Sequence, residues 1–131
     1  MRPPLLDTHA WIWYAADQTR LTLAELNALD ALENRPFVSD FSLWEIATLT
    51  SLKRLTLDRP LDRWLSIAAR PAIVQIVAVS VSAAVELAEL PDTFHRDPAD
   101  QLIVATARIY NFALMTVDPK IVAYPHVQTL P

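Results

Sequence analysis

Five carboxylates stand where apolar stretches end or helices begin: Asp7 after "LL", Glu45 in "SLWEIA", Asp97 and Asp100 in "DPADQL", and Asp118 after "ALMTV". Each has an ordinary explanation on its own. Asp97 reads as an N-cap, Glu45 as the reciprocal partner of Ser42 in a capping box, and Asp118 before Pro119 as a turn. Asp100, in a first helical turn, complements the helix dipole. Their joint placement suggests other chemistry. Carboxylates crowded together raise one another's pKa and repel unless a cation neutralises them. Hard oxygen donors without Cys or clustered His suit Mg²⁺ or Mn²⁺ rather than zinc, and such an ion keeps positions open for water and phosphate oxygens.

For the acids to meet, the chain must alternate strands and helices, and its pattern does so. Leu5 and Leu6 predict a short strand ending at Asp7, then a helix through Trp11, Ile12, Tyr14 and Ala15. Thr22 and Glu25 have capping-box spacing ahead of Leu23, Leu26, Leu29 and Leu32 at helical intervals. Phe37 to Ser39 predicts a second strand, followed by a helix from Ser42 with another Ser-x-x-Glu start. A helix from Pro60, a long buried strand over 73–81 and a helix from Ser82 come next. The last long helix opens at Asp97 and Pro98 and closes at Asn111; a strand over 113–117 runs into Asp118, and a final short strand is expected around Val127. This order predicts crossover units, a mainly parallel sheet and helices on both faces. Ligands then sit beyond the carboxyl ends of the strands, the edge to which the acid-bearing segments lead.

Composition narrows the chemistry further. The 131 residues, 53% hydrophobic, suit one domain with a single core. With no cysteine, disulfides, thiolate metal sites and a cysteine nucleophile are excluded, which fits a cytoplasmic protein. With no glycine, the Walker loop, the dinucleotide fingerprint and the serine-hydrolase elbow are excluded too. No apolar run reaches the roughly 18 residues of a membrane span, and the residues before Asp7 predict no signal peptide. The net charge of -4 argues against a broad basic face for long duplexes. A local strip remains, with Lys53, Arg54, Arg59, Arg63 and Arg70 interleaved with Asp58 and Asp62; it reads equally as a solvated helix face. His9, His95 and His126 are too scattered for a rival site, and Trp11, Trp13, Trp44 and Trp64 read as core filling.

The runs "LLDTHAWIW", "VSDFSLWEIA", "FHRDPADQLIVATA" and "ALMTVDPKI", in this order and over nearly the whole chain, strongly resemble PIN domain ribonucleases, in particular VapC-like toxins of bacterial toxin–antitoxin pairs. The resemblance implies a compact three-layer α/β/α sandwich and a metal-dependent endoribonuclease leaving 5′-phosphate and 3′-hydroxyl ends. The family's four acids fall on Asp7, Glu45, Asp100 and Asp118. Asp97 belongs to the "HRDPAD" signature as a further ligand or a cap, and Thr116 resembles the hydroxyl residue that accompanies the last acid. Such toxins commonly dimerise and are blocked by an antitoxin wrapping the groove. Departures lie elsewhere: Leu49 and Lys53 stand where a lysine and then a glycine are usual, Ala99 where a larger apolar residue is usual, and Asn111 where glycine is usual. Lys53, Arg54 and Arg59 are the expected RNA-backbone contacts. Two rivals remain at this level: a phosphatase with Asp7 as nucleophile, whose usual second acid is replaced by His9, and a non-catalytic binding module whose acids only cap helices.

Overall fold

A computed structural model describes residues 2–31, 35–92, 97–116 and 118–130. Its centre is a four-stranded, all-parallel sheet in the order β3-β2-β1-β4, with β1 Pro4–Leu6, β2 Phe37–Ser39, β3 Gln75–Val77 and β4 Ala113–Met115. Leu6 is in register with Val38 and Met115, Leu5 with Phe37 and Leu114. Because side chains alternate across a strand, these two rows enter different cores. Leu6, Val38 and Met115 pack with Trp11, Ile46, Trp64 and Ala68, from α1 (Thr8–Ala16), α3 (Phe41–Ser51) and α4 (Leu61–Ala68). Leu29 of α2 (Leu23–Asp30) joins the same core. Leu5 and Leu114 pack with Ile103, Val104 and Ala107 of α6 (Pro98–Tyr110) and with Ile121 of α7 (Pro119–Val122). On that side α5 (Val81–Ala88) lies against α6. The result is the three-layer sandwich that alternating elements demand.

Local chemistry explains most boundaries. Thr22 and Glu25 close the expected capping box, at 3.1 and 2.8 Å. Asp97 and Pro98 start α6, and Asn111 ends it in the left-handed conformation, φ 60°. Lys53 also takes positive φ, at the position where glycine is usual in the family the sequence resembles. Buried Trp11 donates its indole N–H to the Ala68 carbonyl at 3.1 Å and meets Trp64 edge to face.

Several expectations need correction. The long buried strand over 73–81 is only Gln75–Val77, at the sheet edge, with Ile76 exposed. The amides of Ile73 and Val74 turn back to the Arg70 carbonyl, and Val79 donates to Asp40 Oδ1. Ser80 then caps α5, so Val81 opens a helix. No capping box starts α3: Asp40 is its N-cap residue, and Ser42 is turned inward. Pro60 is the N-cap of α4 rather than its first helical residue. Asp118 begins the short helix α7 rather than a bare turn. The strand awaited near Val127 is a single bridge, Leu114 to Thr129. Trp44 is 58% exposed, stacked on Phe41, and Leu23 is 75% exposed, so neither fills the core. Leu32, His95 and Val117 lie outside the described residues.

Trp11→Ala is expected to cost about 3–5 kcal/mol in urea unfolding. Leu23→Ala should stay within about 0.5 kcal/mol, because it removes no buried contact.

Candidate active site

The sheet order forces one crevice. From β1 the chain moves outward through β2 to β3, then crosses back to place β4 on the other side of β1. At such a reversal the loops beyond the carboxyl ends of the strands part and leave a cleft. Asp7 follows β1, Glu45 lies in the second turn of α3 after β2, Asp97 and Asp100 open α6, and Asp118 follows β4. All five line one cleft of about 250 Å³, together with Thr8, His9, Trp13 and Ile103.

Capping and lining the cleft coexist in these acids, because a carboxylate has two oxygens and about four acceptor sites. Asp7 accepts the Ala10 amide at 2.8 Å and caps α1. Asp97 accepts the amides of Ala99 and Asp100, at 2.9 and 3.4 Å. Asp118 accepts that of Lys120 at 2.9 Å. Glu45 and Asp100 are not caps. The Ser42–Glu45 pairing expected from the sequence gives way to a different contact: the Thr8 hydroxyl donates to Glu45 Oε1 and lies 2.9 Å from Ser42 Oγ.

The electrostatics follow from crowding and burial. Desolvation raises the Asp7 carboxyl above its ordinary pKa of 3.8. Hydrogen bonds from Thr116 and Ala10 and the nearby His9 oppose that rise, and the Glu45 charge adds to it. Asp100 is pushed up to about 7 by burial first, then by the charges of Asp97 and Asp118, a hydrogen bond shared with Asp118, and Glu45. Thr116 serves both ends of the cleft, bonding the Asp7 side chain while accepting the Asp118 amide at 3.1 Å.

These donors fit a hard divalent cation: they are all oxygens, they repel one another, and a positive charge would relieve the repulsion. Among the described residues no three acidic or imidazole groups are drawn into a finished coordination sphere. Asp100 and Asp118 face each other through a hydrogen bond instead.

The basic residues do not join the acids. Lys53 and Arg54 are exposed beyond the end of α3 at Ser51, which itself lies about 9 Å along the helix axis from Glu45 at ~1.5 Å per residue. Arg59 pairs with Asp58 and borders a separate recess with Ala15, Ala16 and Trp64, where α1 ends rather than begins. His126 pairs with Asp92 at 2.6 Å, outside the cleft, whereas His9 lines it. Sequence reasoning missed Thr8, Ser42 and Trp13. The available signal was the hydroxyl residue directly after Asp7, at a strand-to-helix junction.

Comparison with known proteins agrees with this architecture. Residues 5–127 match the PIN domain family. The chain is 33% identical over 126 residues to Ribonuclease VapC22 of Mycobacterium tuberculosis (strain ATCC 25618 / H37Rv), covering 96% of this chain and 95% of that one. Its fold is similar to VapBC2 from Rickettsia felis bound to a promoter DNA fragment, with TM-score 0.71, 18% identity and 96% of each chain covered. It is also similar to DNA-bound VapBC from Salmonella typhimurium, with TM-score 0.71, 16% identity, and 98% and 97% covered. A toxin–antitoxin complex from Klebsiella pneumoniae aligns with TM-score 0.63, 19% identity and 98% of each chain covered.

The raised Asp100 pKa has a definite consequence for stability. Between the ordinary 3.8 and about 7 the folded protein holds a proton that the unfolded chain releases. The stabilisation is therefore complete below the lower value and lost as pH rises through the upper one. In calorimetry with a chelator, Asp100→Asn should gain in thermal midpoint over the wild type as pH rises from about 4 to about 7. A difference independent of pH would contradict the raised pKa of Asp100.

Proposed function

We propose, from the premise that this chain belongs to the PIN domain family, that it is an endoribonuclease toxin whose carboxylate cleft holds Mg²⁺ or Mn²⁺ and hydrolyses RNA phosphodiesters. The observation that carries the reading is the meeting of Asp7, Glu45, Asp97, Asp100 and Asp118 beyond one edge of a parallel sheet. The VapC22 relative, named a ribonuclease and matched over nearly its full length, supports RNA as the substrate.

In this reading Asp7, Glu45 and Asp100 hold the ion, Asp118 supports directly or through water, and Asp97 is a further ligand or remains a cap. When bound, the ion neutralises the acids, polarises a phosphodiester oxygen and lowers the pKa of an attacking water. The protein's own groups supply the rest. A carboxylate of this cluster can take the proton of the attacking water. Asp7, fixed by the Ala10 amide and Thr116, contributes a rigid oxygen. The N-terminal turn of α6 adds positive potential for the scissile phosphate. Lys53, Arg54 and Arg59, remote from the acids, would contact RNA backbone outside the reacting centre.

The same reading assigns a cognate antitoxin as partner, supported by the toxin–antitoxin complex among the structural relatives. It also includes a homodimer, which would cover exposed Trp44 on α3 and Val81 and Val85 on α5. The site of action is the cytoplasm, in keeping with a chain free of cysteine; among the described residues no helix is long and apolar enough to cross a membrane.

End-labelled RNA should be cut in Mg²⁺ and left intact in EDTA. Asp7→Asn retains the cap and Asp100→Asn removes only charge, yet each should lower kcat/KM at least about 100-fold, roughly 3 kcal/mol of transition-state stabilisation. Undiminished cleavage in EDTA, or by Asp7→Asn, would defeat the proposal.

A further inference from the structure

We infer that Thr8 and Ser42 form a hydroxyl relay that orients the Glu45 carboxylate and so sets the cation affinity of the cleft; this rests on reading the cleft as a divalent-ion site. Both hydroxyls are withdrawn from solvent, with Thr8 2% and Ser42 0% exposed. A buried hydroxyl is costly unless its hydrogen bonds are made, so these contacts are structural requirements rather than incidental approaches. Thr8 has one proton, and it goes to Glu45 Oε1. The 2.9 Å contact with Ser42 Oγ must therefore use the Ser42 proton, with Thr8 as acceptor. The direction is fixed: Ser42 donates to Thr8, and Thr8 donates to Glu45.

The placement gives the relay its purpose. Thr8 is the first residue of α1, directly after Asp7, so its backbone moves with the strand end that carries the first acid. Ser42 and Glu45 are three residues apart on α3 and share a helix face. A Glu side chain has three rotatable bonds, and one carboxylate among several like charges would swing toward solvent. The Thr8 hydroxyl instead ties one Glu45 oxygen to the Asp7 segment and leaves the other for a cation. Partners of this kind, which touch a ligand side chain rather than the metal, typically change affinity by about 10–100-fold when removed. Thr8 and Ser42 are thus positioning residues.

Mn²⁺ titration of the RNA-free protein, followed by electron paramagnetic resonance, separates this role from simple packing. Thr8→Val keeps the side-chain shape and removes the hydroxyl; it should weaken Mn²⁺ binding by about 10–100-fold. Thr8→Ser should bind like wild type, and Ser42→Ala should fall between. A lock that only joined α1 to α3 would lower the thermal midpoint and leave the Mn²⁺ affinity unchanged. Folded Thr8→Val with wild-type affinity, or Thr8→Ser as weak as Thr8→Val, would overturn the relay. Should Thr8→Val not fold, Ser42→Ala decides, and an unchanged affinity there counts against it. If wild type binds no Mn²⁺, the ion-site reading itself fails and takes the relay with it.

Discussion

Burial in a partly desolvated cleft penalises each carboxylate charge, and sharing the cleft adds mutual repulsion. Asp100 responds by holding its proton up to about neutral pH, and Asp7 also shifts upward despite hydrogen bonds from Thr116 and Ala10. An arrangement of this kind works against folding, so the rest of the molecule must hold it in place. The all-parallel sheet does this by sending the acid-bearing segments to one edge, while apolar side chains on both faces fix the strands. Helix caps contribute as well: Asp7, Asp97 and Asp118 each accept backbone amides, which stiffens the carboxylate and satisfies orphan N–H groups together.

The absence of glycine shapes how the chain turns corners. Positive φ falls on Lys53, Asp92 and Asn111 among the described residues. Asn and Asp tolerate that conformation, whereas a lysine there carries backbone strain of about 1–2 kcal/mol. None of the three lines the acid cleft, so the strain sits in the connections and leaves the site on regular elements.

Features governed by short-range chemistry were legible in the sequence. The capping box at Thr22, the start of α6 at Asp97 and Pro98, its end at Asn111 and the strand Phe37–Ser39 all follow from neighbouring residues. Placing Asp7 and Asp118 beside one another needed only the inference of a parallel sheet. What failed depended on partners distant in the chain. The run 73–81 is apolar enough for a long strand, but β2 offers three residues to pair with and Asp40 captures the Val79 amide. Ser42 and Glu45 have capping-box spacing, yet Thr8, 34 and 37 residues away, takes both side chains. The basic residues looked close to Glu45 along the chain, but the length of α3 carries Lys53 and Arg54 away from the acids.

The central claim, that bound divalent metal, as one ion or two, reconciles these acids, is tested most directly by anomalous diffraction from crystals soaked in Mn²⁺. The account predicts a peak bounded by carboxylate oxygens of Asp7, Glu45 and Asp100, with Asp118 within reach of the ion directly or through water. Ordered carboxylates with no peak between them, or a peak elsewhere on the molecule, would contradict it.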